Sequence, residues 1–163
     1  MKIVEANIND ATIIRQIAEI VWPVAYIDIL SKEQLTYMLQ NFYGFEALKE
    51  QMLTKGHQFF IAKDLDNAIG FASVSKEGLG VFKLQKLYVL PDYQGKHVGN
   101  ALLKSVMDYC ALKEGKSLIL NVNRHNMARF FYEKQGFKII KEVDIEIGEG
   151  YFMNDFVMER NLN

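Results

Sequence analysis

Leu87-Tyr88-Val89-Leu90-Pro91-Asp92-Tyr93-Gln94-Gly95-Lys96-His97-Val98-Gly99-Asn100-Ala101-Leu102-Leu103 runs from a strand pattern through a short loop directly into an amphipathic helix. Pro91 ends the strand, and Val98, Ala101, Leu102, Val106, Tyr109 and Cys110 then recur at helical spacing as far as Gly115. The first amides of a helix have no partner within it and lie at the positive end of its dipole, so this junction suits a phosphate. Gly95 and Gly99 allow close backbone approach, and Lys96 adds positive charge. The stretch holds neither the G-x-x-x-x-G-K-[ST] of nucleotide-hydrolysing loops nor the G-x-G-x-x-G of dinucleotide binders. Two glycines ahead of a helix also describe a plain tight turn, so the junction takes its meaning from its surroundings.

Upstream, Val81 to Leu90 reads as a strand, entered through Gly78-Leu79-Gly80 from two earlier strands at 58–63 and 68–75. The turn-forming cluster Asp64-Leu65-Asp66-Asn67 joins those two. The chain opens with a short strand at 3–6. A helix capped by Asn9 or Asp10 follows, with Ile13, Ile14, Ile17 and Val21 on one face and Pro23 at its close. Ser31 and Gln34 have the spacing of a capping box, with Leu30 and Leu35 as its staple, and start a second helix that buries Leu35, Met38, Leu39 and Phe42. Phe45 to Leu53 suggests a third, short helix.

Downstream come a strand at 117–122, a helix at 127–135 with Gly136 as its C-terminal cap, and two strands turned by Gly148-Glu149-Gly150. The first of these alternates apolar and charged residues, with only Ile140 and Lys141 out of step. Adjacent strands imply antiparallel pairing, and the strand–helix–strand units imply some parallel pairing. The expectation is a single α/β domain over 1–163, with a mixed, mostly antiparallel central sheet flanked by helices.

Bulk properties narrow the function classes. The 163 residues carry a formal net charge of −1, so no basic excess points to nucleic acid or an anionic membrane surface. Cys110 is the only cysteine, which excludes an internal disulfide, and His57, His97 and His125 show no metal-ligand spacing. No signal peptide or membrane span is legible, and a cytoplasmic setting without a metal is expected.

Gln94-Gly95-Lys96-His97-Val98-Gly99 resembles the Q/R-x-x-G-x-G/A signature of the GCN5-related N-acetyltransferases. Asn126-Met127-Ala128-Arg129-Phe130-Phe131-Tyr132-Glu133-Lys134-Gln135-Gly136-Phe137 is similar to that family's second motif, at the expected separation and on the expected element. The resemblance extends over nearly the whole chain. It implies a sheet splayed at its middle around acetyl-CoA as cosubstrate, and transfer of acetyl to an amine. It further implies that the backbone of Gln94, Gly95, Lys96, His97, Val98, Gly99 and Asn100 binds the pyrophosphate. By the same resemblance Leu87, Tyr88 and Val89 hold the pantetheine arm through their main chain, with Asn126 and Phe131 also at the cofactor. The Val89 N–H would polarise the acetyl carbonyl.

His97 stands where the signature has its first glycine. If the position needs φ > 0, a side chain costs on the order of 1 kcal/mol there. The backbone donors survive, so CoA binding should persist.

An alkylamine with a pKa near ~10.4 is mostly protonated at neutral pH, so the reaction needs a route for that proton and help for the departing thiolate. The resemblance places Tyr132 as the general acid to the thiolate, although an aromatic at that spacing commonly packs in a core. No base is assigned: many relatives carry a glutamate on the strand before the loop, where this chain has Gln85 and Lys86. Cys110 reads as packing, and His57 and His125 as surface or loop residues. Glu142, Asp144, Glu146 and Glu149 describe either a solvated strand face or an attraction for a cationic substrate.

Trp22 to Tyr26 and Leu30 to Leu39 resemble the acceptor region of bacterial spermine/spermidine acetyltransferases, implying a polyamine or other small amine as acceptor. Three further readings stay open: a protein or peptide N-acetyltransferase, a CoA-binding module without turnover, and an unrelated nucleotide-phosphate binder. A homodimer is compatible with the sequence.

Overall fold

The computed structural model describes residues 1–163. Strand β1 (Lys2–Ala6) leads through a 3-10 turn at Ile8–Asp10 into α1 (Ala11–Ala25), α2 (Lys32–Tyr43) and α3 (Phe45–Leu53). The antiparallel strands β2 (Gln58–Asp64), β3 (Asn67–Gly78) and β4 (Val81–Val89) follow. Helix α4 (Val98–Leu112), β5 (Ser117–Asn123), α5 (Ala128–Lys134), β6 (Lys138–Gly148) and β7 (Tyr151–Asn161) complete the chain.

All seven strands form one sheet in the order β1-β2-β3-β4-β5-β7-β6, parallel only between β4 and β5. Helix α4 reaches β5 by a crossover, which is what parallel neighbours require. Helix α4 covers one face through Val98, Leu102, Leu103 and Val106, while α1, α2 and α3 cover the other through Ile14, Ile17, Met38 and Leu48. The mixed, mostly antiparallel sheet flanked by helices is the expected fold class.

Local details differ from the sequence reading in three places. Asp10 holds the N-cap position of α1 as expected but makes no side-chain cap; Asn7 caps the 3-10 turn ahead of it, its Oδ1 accepting from Asn9 N and its amide donating to Asp10 Oδ2, each at 2.9 Å. Pro23 sits inside α1 instead of closing it. It lies within the last turn on the exposed side, so the carbonyl of Glu19 that loses its amide partner meets water.

Ser31 does cap α2, accepting from Gln34 N at 3.1 Å. The Gln34 side chain does not reach back to complete a box; its Nε2 donates to Phe152 O at 2.9 Å and ties α2 to β7. In β6 a bulge between Ile139 and Lys141 sets Ile140 aside, and this is the break in the alternation.

Candidate active site

Strands β4 and β5 pair only from Val81 to Leu84 against Ser117 to Leu120. Beyond that point β4 stays with β3, and β5 stays with β7 as far as Asn123, so the sheet splits along its middle. The Leu90 amide donates to Ile69 O at 2.9 Å, which turns that residue's main chain toward β3. Strand alternation then points the main-chain groups of Val89 and Leu87 into the split. The Tyr88 main chain faces β3, so what Tyr88 gives the split is its side chain.

A groove of about 770 Å³ fills this split. Its outer end is the loop before α4. Gly95 has φ +75°, and His97 takes the left-handed conformation at φ 62°, ψ 13° as the residue capping α4. The position that the signature reserves for glycine therefore does demand positive φ. His97 makes no side-chain cap, and the first intrahelical bond runs from Ala101 N to His97 O at 3.1 Å. The amides of Val98, Gly99 and Asn100 are thus unpaired at the positive end of the helix, which is the donor set a pyrophosphate needs.

Gln94, Gly95, His97, Val98, Gly99 and Asn100 all line the groove, as do Leu87, Tyr88, Val89, Asn126, Phe131 and Tyr132. Lys96 does not, because its ammonium lies over the Tyr93 ring, 5.1 Å from the centroid. The Asn126 side chain is also structural: its Oδ1 accepts from Ala128 N at 2.9 Å at the start of α5. Phe131 packs beside Gly99, where an added Cβ would sit 3.5 Å from its ring.

Tyr132 is 8% exposed, and its ring stands edge-on to Phe131 and Phe137 at 5.2 and 5.7 Å. No protein group hydrogen-bonds its hydroxyl, which belongs to the groove wall. Burial, with a smaller contribution from nearby Tyr26, raises its pKa, so it holds its proton at neutral pH.

On the face covered by α1 and α2 lies a second cavity of about 340 Å³, walled by Trp22, Tyr26, Phe42, Tyr43, Tyr88 and Phe152. It shares Tyr26, Leu84, Gln85, Lys86, Tyr88 and Asn121 with the groove, so the two spaces meet where β4 leaves β5. Its one carboxylate is Asp155, 2% exposed, whose Oδ2 accepts from Asn121 Nδ2 at 3.4 Å. Asp155 was not singled out from the sequence. The available signal was a charge on the strand face that otherwise carries Met153 and Val157.

None of Glu142, Asp144, Glu146 and Glu149 lines either space. Glu142 and Asp144 instead pair with Arg124 on the exposed side of β6. Gln85 occupies a bulge in β4 and donates to Ser75 Oγ at 2.9 Å and Glu77 Oε1 at 3.2 Å.

Lys86 donates to Gln51 Oε1 at 2.8 Å, with its ammonium 5.3 Å from the Tyr43 ring and 5.8 Å from the Phe59 ring. Burial without a carboxylate partner, with Lys55 adding to it, lowers its pKa to about 7. His57 lies in the loop before β2, as expected, but half-buried; desolvation first, then Lys86, lowers its pKa to about 4. Burial pushes the Cys110 thiol up to about 12, so it is packing rather than a nucleophile.

The pattern of a family described as acetyltransferase (GNAT) domain matches residues 27–149. A solved structure of an N-acetyltransferase from Thermoplasma acidophilum, in complex with coenzyme A, superposes with a TM-score of 0.81 at 27% identity, covering 99% of both chains. The spermidine N(1)-acetyltransferase of Thermoplasma acidophilum is 27% identical, covering 98% of this chain and 96% of its own. The [ribosomal protein bS18]-alanine N-acetyltransferase of Haemophilus influenzae is 35% identical, covering 63% of this chain and 67% of its own.

Proposed function

The chain belongs to the acetyltransferase (GNAT) family and is an acetyl-CoA-dependent N-acetyltransferase of that type, and we propose that its acceptor is a small primary amine. The observation that carries this reading is the junction of the two spaces. The groove ends in unpaired helix amides suited to a pyrophosphate, and it opens at Tyr26, Tyr88 and Asn121 into an aromatic-walled cavity of small-molecule size.

In this reading Gln94, Gly95 and His97 to Asn100 hold the pyrophosphate of acetyl-CoA, and Leu87 and Val89 hold the pantetheine arm by main-chain groups. The bound cosubstrate supplies the thioester. The Val89 N–H polarises the carbonyl, and Tyr132 gives its proton to the leaving thiolate. The residues fit these tasks: the amides are unpaired, the Tyr132 hydroxyl is free, and its proton is retained at neutral pH.

Polyamines come first among the amines to test, because the Thermoplasma relative named for spermidine aligns over nearly the full chain. A peptide N-terminus is the second reading, favoured by the Haemophilus relative named for the alanine of a ribosomal protein. Release of CoA thiol across polyamines, amino acids, aminoglycosides and peptides separates them. Turnover on peptides alone would replace the first reading by the second.

A further inference from the structure

The acceptor arrives as an ammonium and must lose a proton before it can attack, and neither Gln85 nor Lys86 offers a carboxylate for it. Two carboxylates and two imidazoles line the joined spaces: Asp28, Asp155, His97 and His125, with His97 exposed in the loop before α4. Asp28 and His125 are exposed, on the loops after α1 and after β5. Asp155 is buried in the middle of β7, opposite Asn123 of β5 and Val143 of β6. Asn121, which donates to it, is the first residue of β5 beyond the pairing with β4. The carboxylate therefore stands beside the point where the sheet opens, and its Oδ1 has no protein donor.

We propose, on the reading of the chain as an acetyltransferase of small amines, that Asp155 takes the first proton from the acceptor's ammonium. The proton passes to the carboxylate, and the freed lone pair forms the C–N bond to the acetyl carbon as the C–S bond breaks. The second proton leaves the nitrogen for water, and the thiolate takes one from Tyr132, which recovers it from water. Asp155 then releases its own, so each turnover yields one amide, one CoA thiol and one proton.

The surroundings fit a proton acceptor. Burial raises the Asp155 pKa, which strengthens its hold on a proton. Asn121 on β5, Lys83 on β4 and Arg124 after β5 oppose that rise. Just past α1, Tyr26 lines the same cavity; burial raises its pKa, and the Asp155 charge adds to that rise. From β6, Asp155 faces Val143, and the nearby Glu142 and Asp144 are engaged by Arg124.

The test is kcat/KM of Asp155→Asn against pH, with the acceptor that the wild-type protein acetylates fastest. A failure of the small-amine reading then shows in the acceptor panel, and a failure of the Asp155 assignment shows in the variant. The expected loss near neutral pH is at least ~10²-fold, because general acid–base catalysis contributes about 10²–10⁴-fold. That loss should shrink about tenfold per pH unit toward the amine's own pKa near ~10, since only neutral amine reacts without a base. Affinity for CoA, read by calorimetry, should be unchanged. Asp155→Ala, supplied with formate, provides a second arm in which added carboxylate restores turnover. Near wild-type rates at neutral pH, or an equal loss at every pH without formate rescue, would overturn the assignment.

Discussion

The hydroxyls of Tyr26 and Tyr88 lie 3.0 Å apart and join the end of α1 to β4 across the opening between groove and cavity. Both rings also pack on Trp22, at 4.7 and 5.8 Å. The contact links residues 62 positions apart and fixes the end of α1 against the split strand.

Removing either hydroxyl leaves its partner without that bond. Tyr26→Phe and Tyr88→Phe should each lower stability by about 0.5–1.5 kcal/mol. The double variant should lose clearly less than the sum of the two, because both singles remove the same bond. Urea denaturation of the four proteins gives the coupling; strict additivity would mean that the hydroxyls act independently.

The left-handed His97 gives a separate prediction. A side chain in that region costs about 1–2 kcal/mol, most for branched ones, and glycine carries no such cost. His97→Val should therefore destabilise the protein and His97→Gly should not. Both should keep their affinity for CoA, because the loop's donors are amides rather than the imidazole. Calorimetric CoA titration of the glycine variant checks this, and loss of binding there would give the imidazole a direct role.

Much of this was legible in sequence because it is local. The segment from Gln94 to Gly99 and the stretch from Asn126 to Phe137 around α5 are continuous in sequence, and their residue types are set largely by backbone conformation. The cavity side was not legible. Whether Asp155 and Lys86 face α1 depends on strand register, and in β4 a bulge at Gln85 resets which side chains turn inward. The polar pair Gln85-Lys86 breaks the alternation of Phe82 and Leu84, but that break alone does not say which way Lys86 turns. Pro23 misled for a different reason, since a proline near a helix end loses a bond that water can replace.

Lys86 supplies a pH prediction. Its pKa falls from the ordinary lysine value of 10.5 to about 7 in the folded chain. Between those limits the unfolded chain holds a proton that the folded chain has released, so this group makes stability rise with pH across the window. Below pH of about 7 its effect is constant and unfavourable. Lys86→Met should flatten this part of the stability profile, and an unchanged slope from urea melts would contradict the burial of the ammonium.

Gly99 tests the pyrophosphate site. An added Cβ there would meet only the Phe131 ring, at an ordinary contact distance of 3.5 Å, so Gly99→Ala should fold normally. Gly99→Trp should keep the fold and abolish CoA binding, because the larger side chain fills the space before the free amides. A folded Gly99→Trp that binds CoA with wild-type affinity would move the site elsewhere.

Tyr132→Phe examines the thiolate's proton source. The ring packing against Phe131 and Phe137 is kept, so stability should change little. The single-turnover rate should fall at least ~10²-fold if chemistry is limiting. CoA affinity should change by no more than one hydrogen bond, about 0.5–1.5 kcal/mol. An affinity loss that matches the rate loss would make Tyr132 a binding residue instead.

Release of CoA thiol from acetyl-CoA, followed together with the mass of the product in the presence of spermidine and a panel of other small amines, decides whether the acceptor is a small amine. One acetylated amine for each CoA released is the expected result. CoA release that acetylates no small amine, with product found only on peptide N-termini, would contradict it.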